Sequence, residues 1–416
     1  MVTGLLSGYR VVEVSMLLNG ATTSMLLADL GADVVKIENP RLGDYLRIDE
    51  TRYLHEQANR NKRSIALDLT TSGGQEVLAR LIRTADVFVT NATGDRTAKL
   101  GVSHEQLRRH KPDLVYCQNT GFGATGPYAN LPVHGQMMDS LAGARPVVMG
   151  ADGFTRPASD GVSWPSLSIG GEGTATGAIY AAFHIAAALA HRERTGQGCY
   201  LDVSSAAAVT ASGWTAVAAL LNQPEVAAAV ADPEQRRGVA RYQWYETADR
   251  RFVLFCPEER KFWLRFCELV GRPDLAERVY GEDLRRQIQA IMHGRTLAEW
   301  MQIAIENRLP IGPAYRSVDE VVADPQTVAR GVFVAGPGVA GSPVTYIGQP
   351  VLVDGAPPPA PSPAPAQGRD TEAILRELGY PDGEIARLAA DRVTTSDEVE
   401  ENYIALNVHA RAEPPS

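Results

Sequence analysis

The chain is poor in cysteine. It has four in 416 residues, Cys117, Cys199, Cys256 and Cys267, and no two form a CxxC pair. That excludes a disulfide framework or a thiolate metal site and suits reduced thiols in a cytoplasmic protein. It also lacks a basic excess: 40 Lys and Arg against 49 Asp and Glu leave a net charge of −9. A general nucleic-acid or membrane-surface role wants a basic face, so the balance argues against both. An acidic ligand then requires Lys and Arg to gather locally. The opening MVTGLLSGYRVVEVS lacks the basic-then-apolar layout of a signal peptide. The apolar stretches 176–190 and 205–221 are rich in Ala, Thr and Ser, and His184 breaks the first, so they read as buried helices. No GxGxxG follows the first strand, and GxxxxGK[ST], HExxH and GxSxG are all missing. No metal is expected.

What is present begins with a pattern. A chain of 416 residues with a 44% hydrophobic share holds two or three domains. Residues 9–120 alternate β-branched runs with helical segments. The strands are expected at Arg10–Ser15, Asp33–Glu38, Ser64–Leu69, Asp86–Thr90 and Asp113–Asn119, with helices near 21–30, 72–83 and 103–110. This order predicts a parallel sheet covered on both faces, with ligands beyond the carboxyl ends of its strands. His55 to Arg63, HEQANRNKR, is a polar, basic loop before a strand, and Lys62 and Arg63 there suit a phosphate. GFGATGPY (121–128) is dense enough in glycine to turn tightly or lie against a ligand, and His134 follows it.

The centre of the chain is Trp164 to Gly198, a small-residue turn carrying Glu172 and leading into an alanine-rich helix over 174–191. Glycines let a ligand approach the backbone, and a helix start supplies unpaired N–H groups. Ile179, Phe183, Ile185 and Leu189 are expected to face the sheet. A short strand at Tyr200–Val203 and a helix at Ala206–Leu221 follow, and 222–240 reads as a polar linker. A hairpin over Tyr242–Phe255 and helices near 259–270, 282–293 and 297–307 make a compact α+β piece. GAPPPAPSPAPAQ (355–367) is an extended connector, and a last helix, Thr371–Leu378, ends at Gly379.

Several segments together are similar to one family. They are LADLGADVVKIENPRLGDYLR (27–47), NRNKRSIALDL (59–69), GFGATGPYAN (121–130), RTGQGCYLDVS (194–204), PIGPAYRSVDEVVADPQTVARG (310–331) and ILRELGYPDGEIARL (374–388). The chain resembles the family III CoA-transferases, which include the α-methylacyl-CoA racemases. The resemblance implies an α/β fold. A Rossmann-like large domain with a parallel sheet takes 1–222 and 331–416. A linker spans 223–240, and a smaller α+β domain takes 241–330. It also implies an interlocked dimer, read as a homodimer, while the missing loop aspartate described below raises a heteromer with a paralogous chain. The ligands implied are an acyl-CoA and a carboxylic acid, with coenzyme A as substrate and product and no permanently bound cofactor.

The family uses a loop aspartate to carry the acyl group and then CoA. No aspartate stands in this loop. Alignment on Thr195–Gly198 puts Gly173 or Thr174 at the position; alignment on Gly177 puts Glu172 there. Glu172 is therefore the candidate nucleophile, ahead of Asp160. His134 matches a racemase-branch histidine, with Gly135 in place of the following aspartate, and Glu259 matches a further acid of that branch. The positions implied for the nucleotide are Leu18, Asn19, Asn59, Asn61, Lys62, Asn91, Thr93 and Lys99. Trp164, Met137, Met138 and Trp214 are candidates for an acyl pocket. Three readings follow: CoA transfer through a glutamyl anhydride and thioester, racemisation using His134, or a non-catalytic CoA-binding subunit.

Overall fold

The computed structural model describes residues 4–47, 51–158, 171–232, 236–338, 341, 343–357 and 359–395. Asp160 and Trp164 lie outside them. The chain divides into two compact units, Met1–Ser212 with Ala329–Ser416, and Gly213–Val328.

The first unit is built on a seven-stranded sheet. Its strands are β1 (Arg10–Val14), β2 (Asp33–Glu38), β3 (Arg63–Leu67), β4 (Val87–Thr90), β5 (Val115–Thr120) and, after a small exposed hairpin of β6 (Val147–Met149) and β7 (Thr155–Pro157), β8 (Tyr200–Ser204). A two-residue strand, Thr394–Thr395, completes it. The order is Thr394–Thr395, β3, β2, β1, β4, β5, β8. Neighbours are parallel except Thr394–Thr395, which runs antiparallel to β3 and closes that edge. Val12 pairs with Val35 on one side and Phe88 on the other. The strand order therefore reverses between β1 and β4, which opens a crevice at their carboxyl ends.

Both faces are covered, as the near-continuous apolar runs require. On one face Val12, Val35, Ile65, Phe88 and Tyr116 pack with Leu78 and Leu81 of α3 (Ser72–Arg83) and with Ile374, Leu375 and Leu388 from the C-terminal helices. On the other, Val11, Val34, Val87 and Val115 lie under Leu27 of α1 (Asn19–Asp29) and under Ile185 and Leu189 of α7 (Gly171–Thr195). Each such side chain contributes roughly 1.5–3 kcal/mol on burial.

Among the described residues α7 is the one helix long and apolar enough to cross a membrane. Here it is a core helix: Ala178, Ala181, Ile185, Ala188 and Leu189 form its buried stripe. The expectation for Ile179 and Phe183 was wrong, since they are 58% and 66% exposed on its opposite face. The buried stripe is made of small residues because α8 (Ser205–Ser212) crosses closely. A Cβ on Gly177 would stand 2.2 Å from Ser205 Oγ and 3.1 Å from its Cα.

The C-terminal segment returns to this unit through specific bonds. Asn61, at φ +62°, donates its N–H to Ser362 O at 3.1 Å and accepts from Ser362 N at 2.7 Å. Arg47 donates to Pro365 O at 3.1 Å, and Ser64 N donates to Asp370 at 2.9 Å. Helices Thr371–Glu377 and Asp382–Ala390 follow, and the second of these was not expected as a separate element.

The second unit has a three-stranded antiparallel sheet, ordered Ile311–Pro313, Phe252–Phe255, Gln243–Glu246. Helices Arg260–Leu269, Glu282–Met292 and Leu297–Asn307 cover a core around Trp263, Phe266, Ile288 and Trp300. The expected linker is in part helical, at Pro224–Ala231. The expected helix over 206–221 is two helices that break at Gly213, α8 and Trp214–Asn222.

Candidate active site

A cavity of about 950 Å³ opens at the carboxyl ends of the sheet, where the strand order reverses. Its wall includes Ser15 to Asn19 after β1, Glu38 at the end of β2 and Asn39 after it, Asn91 to Thr93 after β4, and Thr120 and Gly121 at the end of β5. Pro132 to Gln136, Met138 and Thr174 close the far side. The volume lies near the upper end for small-molecule sites, which suits a large ligand.

Each wall segment is fixed by the chain around it. The β1–α1 turn needs Leu17 in the left-handed region, at φ +61°, where a leucine is disfavoured by about 1 kcal/mol or more. Asn91 holds that turn. Its Nδ2 donates to Met16 O at 2.6 Å, and its Oδ1 accepts from Met16 N at 3.1 Å. The glycine loop after β5 is anchored by Asp202 of β8, which accepts from Ala124 N at 2.7 Å and Thr125 Oγ1 at 3.0 Å. The loop then folds back so tightly that a Cβ on Gly121 would lie 2.5 Å from Val133.

Asn19 joins the three helices behind the wall. Its Nδ2 donates to Ser205 Oγ at 3.3 Å, and its Oδ1 accepts from Thr174 Oγ1 at 3.3 Å. Thr120 Oγ1 is buried on the cavity wall and makes no hydrogen bond with a described residue, so its hydroxyl can serve a ligand.

The first turn of α7 is held by an aspartate that sequence reasoning missed. Asp139, fully buried on α6 (Met137–Leu141), accepts from Glu172 N at 3.0 Å and Gly173 N at 2.9 Å. Arg145 Nε pairs with it at 3.2 Å. Asp139 therefore caps α7 from another helix, a long-range link with no local sequence signature. Asp139→Ala removes the cap and the ion pair with Arg145; the expected loss is about 1–3 kcal/mol, read from urea denaturation. A loss below a few tenths of a kcal/mol would show that the cap does not hold the turn.

Glu172 itself is exposed, and its carboxylate makes no hydrogen bond or ion pair with a described residue. It stands two positions before Thr174, which lines the cavity. His134 is exposed on the cavity wall. Glu259 belongs to the second unit, at the N-cap of Arg260–Leu269 without a side-chain cap bond.

Of the positions expected for the nucleotide, Leu18, Asn19, Asn91 and Thr93 share the cavity wall. Asn59, Asn61, Lys62 and Lys99 are not on it. Asn61 binds Asp29 at 2.8 Å and the returning segment. Lys99 pairs with Asp95 at 2.6 Å in solvent. Of the acyl-pocket candidates Met138 lines the cavity, Met137 is exposed and Trp214 lies in the second unit.

Lys62 is fully buried. Its Nζ donates to Glu13 Oε2 at 2.8 Å, Ala21 O at 2.9 Å and Asn59 Oδ1 at 3.1 Å. Lys36 Nζ, equally buried, pairs with Glu13 Oε1 at 2.9 Å and Asp44 Oδ2 at 3.0 Å. Ser15 and Ser24 hydroxyls donate to the same glutamate. Burial alone would raise the Glu13 pKa, but the two lysines outweigh it and hold it well below the usual carboxylate range. For Lys36 burial is overcome by Glu13 and Asp44, and its pKa is raised. For Lys62 burial wins, helped by repulsion from Lys36, and its pKa is pushed down to about 8. Glu38, beside the cavity, is held by Arg47 at 2.6 and 2.9 Å.

Comparison with known proteins gives one family. The sequence pattern of CoA-transferase family III matches residues 6–371. The chain is 31% identical over 399 residues to the succinate–glutarate CoA-transferase of Agrobacterium fabrum, covering 90% of this chain and 95% of that one. It is 28% identical over 402 residues to the alpha-methylacyl-CoA racemase of Homo sapiens, covering 95% and 98%. Among solved structures, a CAIB/BAIF family protein from Brucella suis superposes with a TM-score of 0.66 at 28% identity, covering 90% of this chain and all of that one.

Proposed function

This chain belongs to CoA-transferase family III, and from that premise we propose that it moves coenzyme A from an acyl-CoA to a carboxylic acid, with Glu172 carrying the acyl group. The observation that carries the reading is the 950 Å³ cavity at the strand-order reversal, walled by the first turn of α7. A nucleophile needs access and a free lone pair. Glu172 is exposed and its carboxylate bonds to no described residue, although Thr174 and not Glu172 lines the cavity, whereas the Asp139 oxygens are engaged by two N–H groups and an arginine.

A Glu172 oxygen attacks the thioester carbonyl, the C–S bond breaks, and CoA leaves as thiolate. The thiolate attacks the Glu172 carbonyl of the mixed anhydride and releases the first acid as its carboxylate. The second acid attacks the glutamyl thioester and again expels the thiolate. The thiolate then attacks the substrate carbonyl of the new anhydride and restores Glu172. No net proton or electron is consumed, and one hard transfer becomes a series of easier steps. N–H groups in the first turn of α1, behind Leu18 and Asn19, are unpaired within the helix and suit the developing oxyanions. The acceptor we propose is a dicarboxylic acid, on the strength of the Agrobacterium relative.

The test is trapping. Incubation with succinyl-CoA and then hydroxylamine leaves a hydroxamate on the Glu172 peptide, read by mass. No modified peptide with any acyl-CoA donor counts against the reading.

Racemisation is the second reading, and His134 on the cavity wall favours it. Racemisation needs a base and an acid on opposite faces of the α-carbon, roles for His134 and Glu172. Deuterium exchange at the α-carbon of a 2-methylacyl-CoA, lost in His134→Ala, distinguishes it.

The working form is proposed as an interlocked homodimer in the cytoplasm. Exposed Ile179 and Phe183 on α7 and four unpaired cysteines support that. Light scattering should give twice the chain mass. A monomer that gains activity only with a paralogous chain would favour the non-catalytic subunit.

A further inference from the structure

We infer that Arg96 is the residue that meets the phosphate groups of coenzyme A. The inference rests on the cavity being the acyl-CoA site. Coenzyme A carries a diphosphate and a phosphate monoester, so its site must supply positive charge. Three residues carrying a full charge line the cavity: Glu38, Asp44 and Arg96. The first two are carboxylates that already have cations, Arg47 and Lys36. Among the described residues Arg96 is then the one lysine or arginine on the wall.

The two lysines expected for this task are occupied elsewhere. Lys62 spends its three donors on Glu13, Ala21 O and Asn59 and is closed off from solvent. Lys99 turns to Asp95, which also keeps that carboxylate from Arg96. The Arg96 side chain is exposed, and among the described residues its guanidinium makes one hydrogen-bond contact, to the thioether Met16 Sδ at 3.7 Å. A thioether is a weak acceptor, so the five N–H donors of the fork are nearly unspent.

The contact with Met16 also fixes where that charge sits. Met16 is in the turn after β1, and Arg96 follows β4, so the guanidinium lies at the crevice where the strand order reverses. An arginine fork there can hold two phosphate oxygens as a planar bidentate pair, a geometry a lysine lacks. Arg96 acts by binding and touches none of the reacting atoms.

The experiment measures the dissociation constants of CoA, 3′-dephospho-CoA and pantetheine for the wild type, Arg96→Ala and Arg96→Lys, at low and high salt. Arg96→Ala should weaken CoA on the order of tenfold or more. It should leave pantetheine, which has no phosphate, unchanged. Arg96→Lys should recover part of the loss, and the alanine variant should respond less to salt. The 3′-dephospho arm separates the monoester from the diphosphate: a ratio that stays near tenfold assigns the diphosphate, and one that collapses assigns the monoester. CoA affinity within twofold of wild type in Arg96→Ala overturns the inference, as does an equal loss of pantetheine or a loss in Lys99→Ala instead. A wild type that fails to bind CoA at all sinks the reading of the cavity, and Arg96 with it.

Discussion

Glu172→Gln is expected to lower kcat for CoA transfer on the order of ten-thousandfold or more, with little change in KM for the acyl-CoA. The amide keeps the size of the side chain but is a far poorer nucleophile. The melting temperature should hold, because the carboxylate is exposed and binds no described residue. Glu172→Asp keeps the functional group and shortens the arm by one methylene. A misplacement of about 1 Å costs roughly a hundredfold, so this variant should fall between wild type and glutamine. A glutamine variant with normal kcat would move the chemistry off Glu172. Asp139 is then the next carboxylate to examine, since it stands 2.9 Å from the N–H of Gly173.

Lys36→Met should be the most destabilising single change on the sheet, by about 3–5 kcal/mol in urea or thermal unfolding. The ammonium sits between Glu13 and Asp44 with no exposure, and its loss removes one of the two lysines that hold the buried Glu13 and takes an ion pair from the buried Asp44. Lys62→Met should cost less, because burial already brings Lys62 down to about 8, close to shedding its proton. The pH dependence follows from Glu13. Its pKa in the folded chain is depressed, so its contribution is full above its ordinary value of 4.5 and is lost as pH falls. In Lys36→Met that depression is smaller. The gap between variant and wild type should therefore narrow as pH drops below about 4.5. A gap that widens in acid would show that Lys36 does not stabilise the Glu13 charge.

The parallel sheet was legible because its strands are β-branched runs; Asp33–Glu38 falls where the pattern puts it. Caps were legible too. Ser317 accepts from Glu320 N, and Gly379 takes φ +82° after the helix Thr371–Glu377. What failed has physical reasons. The helix α2 (Arg52–Asn59) buries His55, Glu56, Ala58 and Asn59, so it carries no apolar period and read as a loop. On α7 the buried stripe is largely glycine and alanine, so the bulkier Ile179 and Phe183 drew the prediction to the wrong face. Lys62 read as a phosphate contact because Glu13 and Lys36, which surround it, are distant in sequence and meet only in the sheet. Arg96 carried no signal beside the better-placed Lys99; only the cavity wall singles it out.

The last strand, Thr394–Thr395, caps the β3 edge, and Ile374, Leu375 and Leu388 fill one face of the sheet. During synthesis the first five strands leave the ribosome long before these residues exist. A nascent chain must wait with an open sheet edge and a bare apolar face, the condition in which chains recruit chaperones or aggregate.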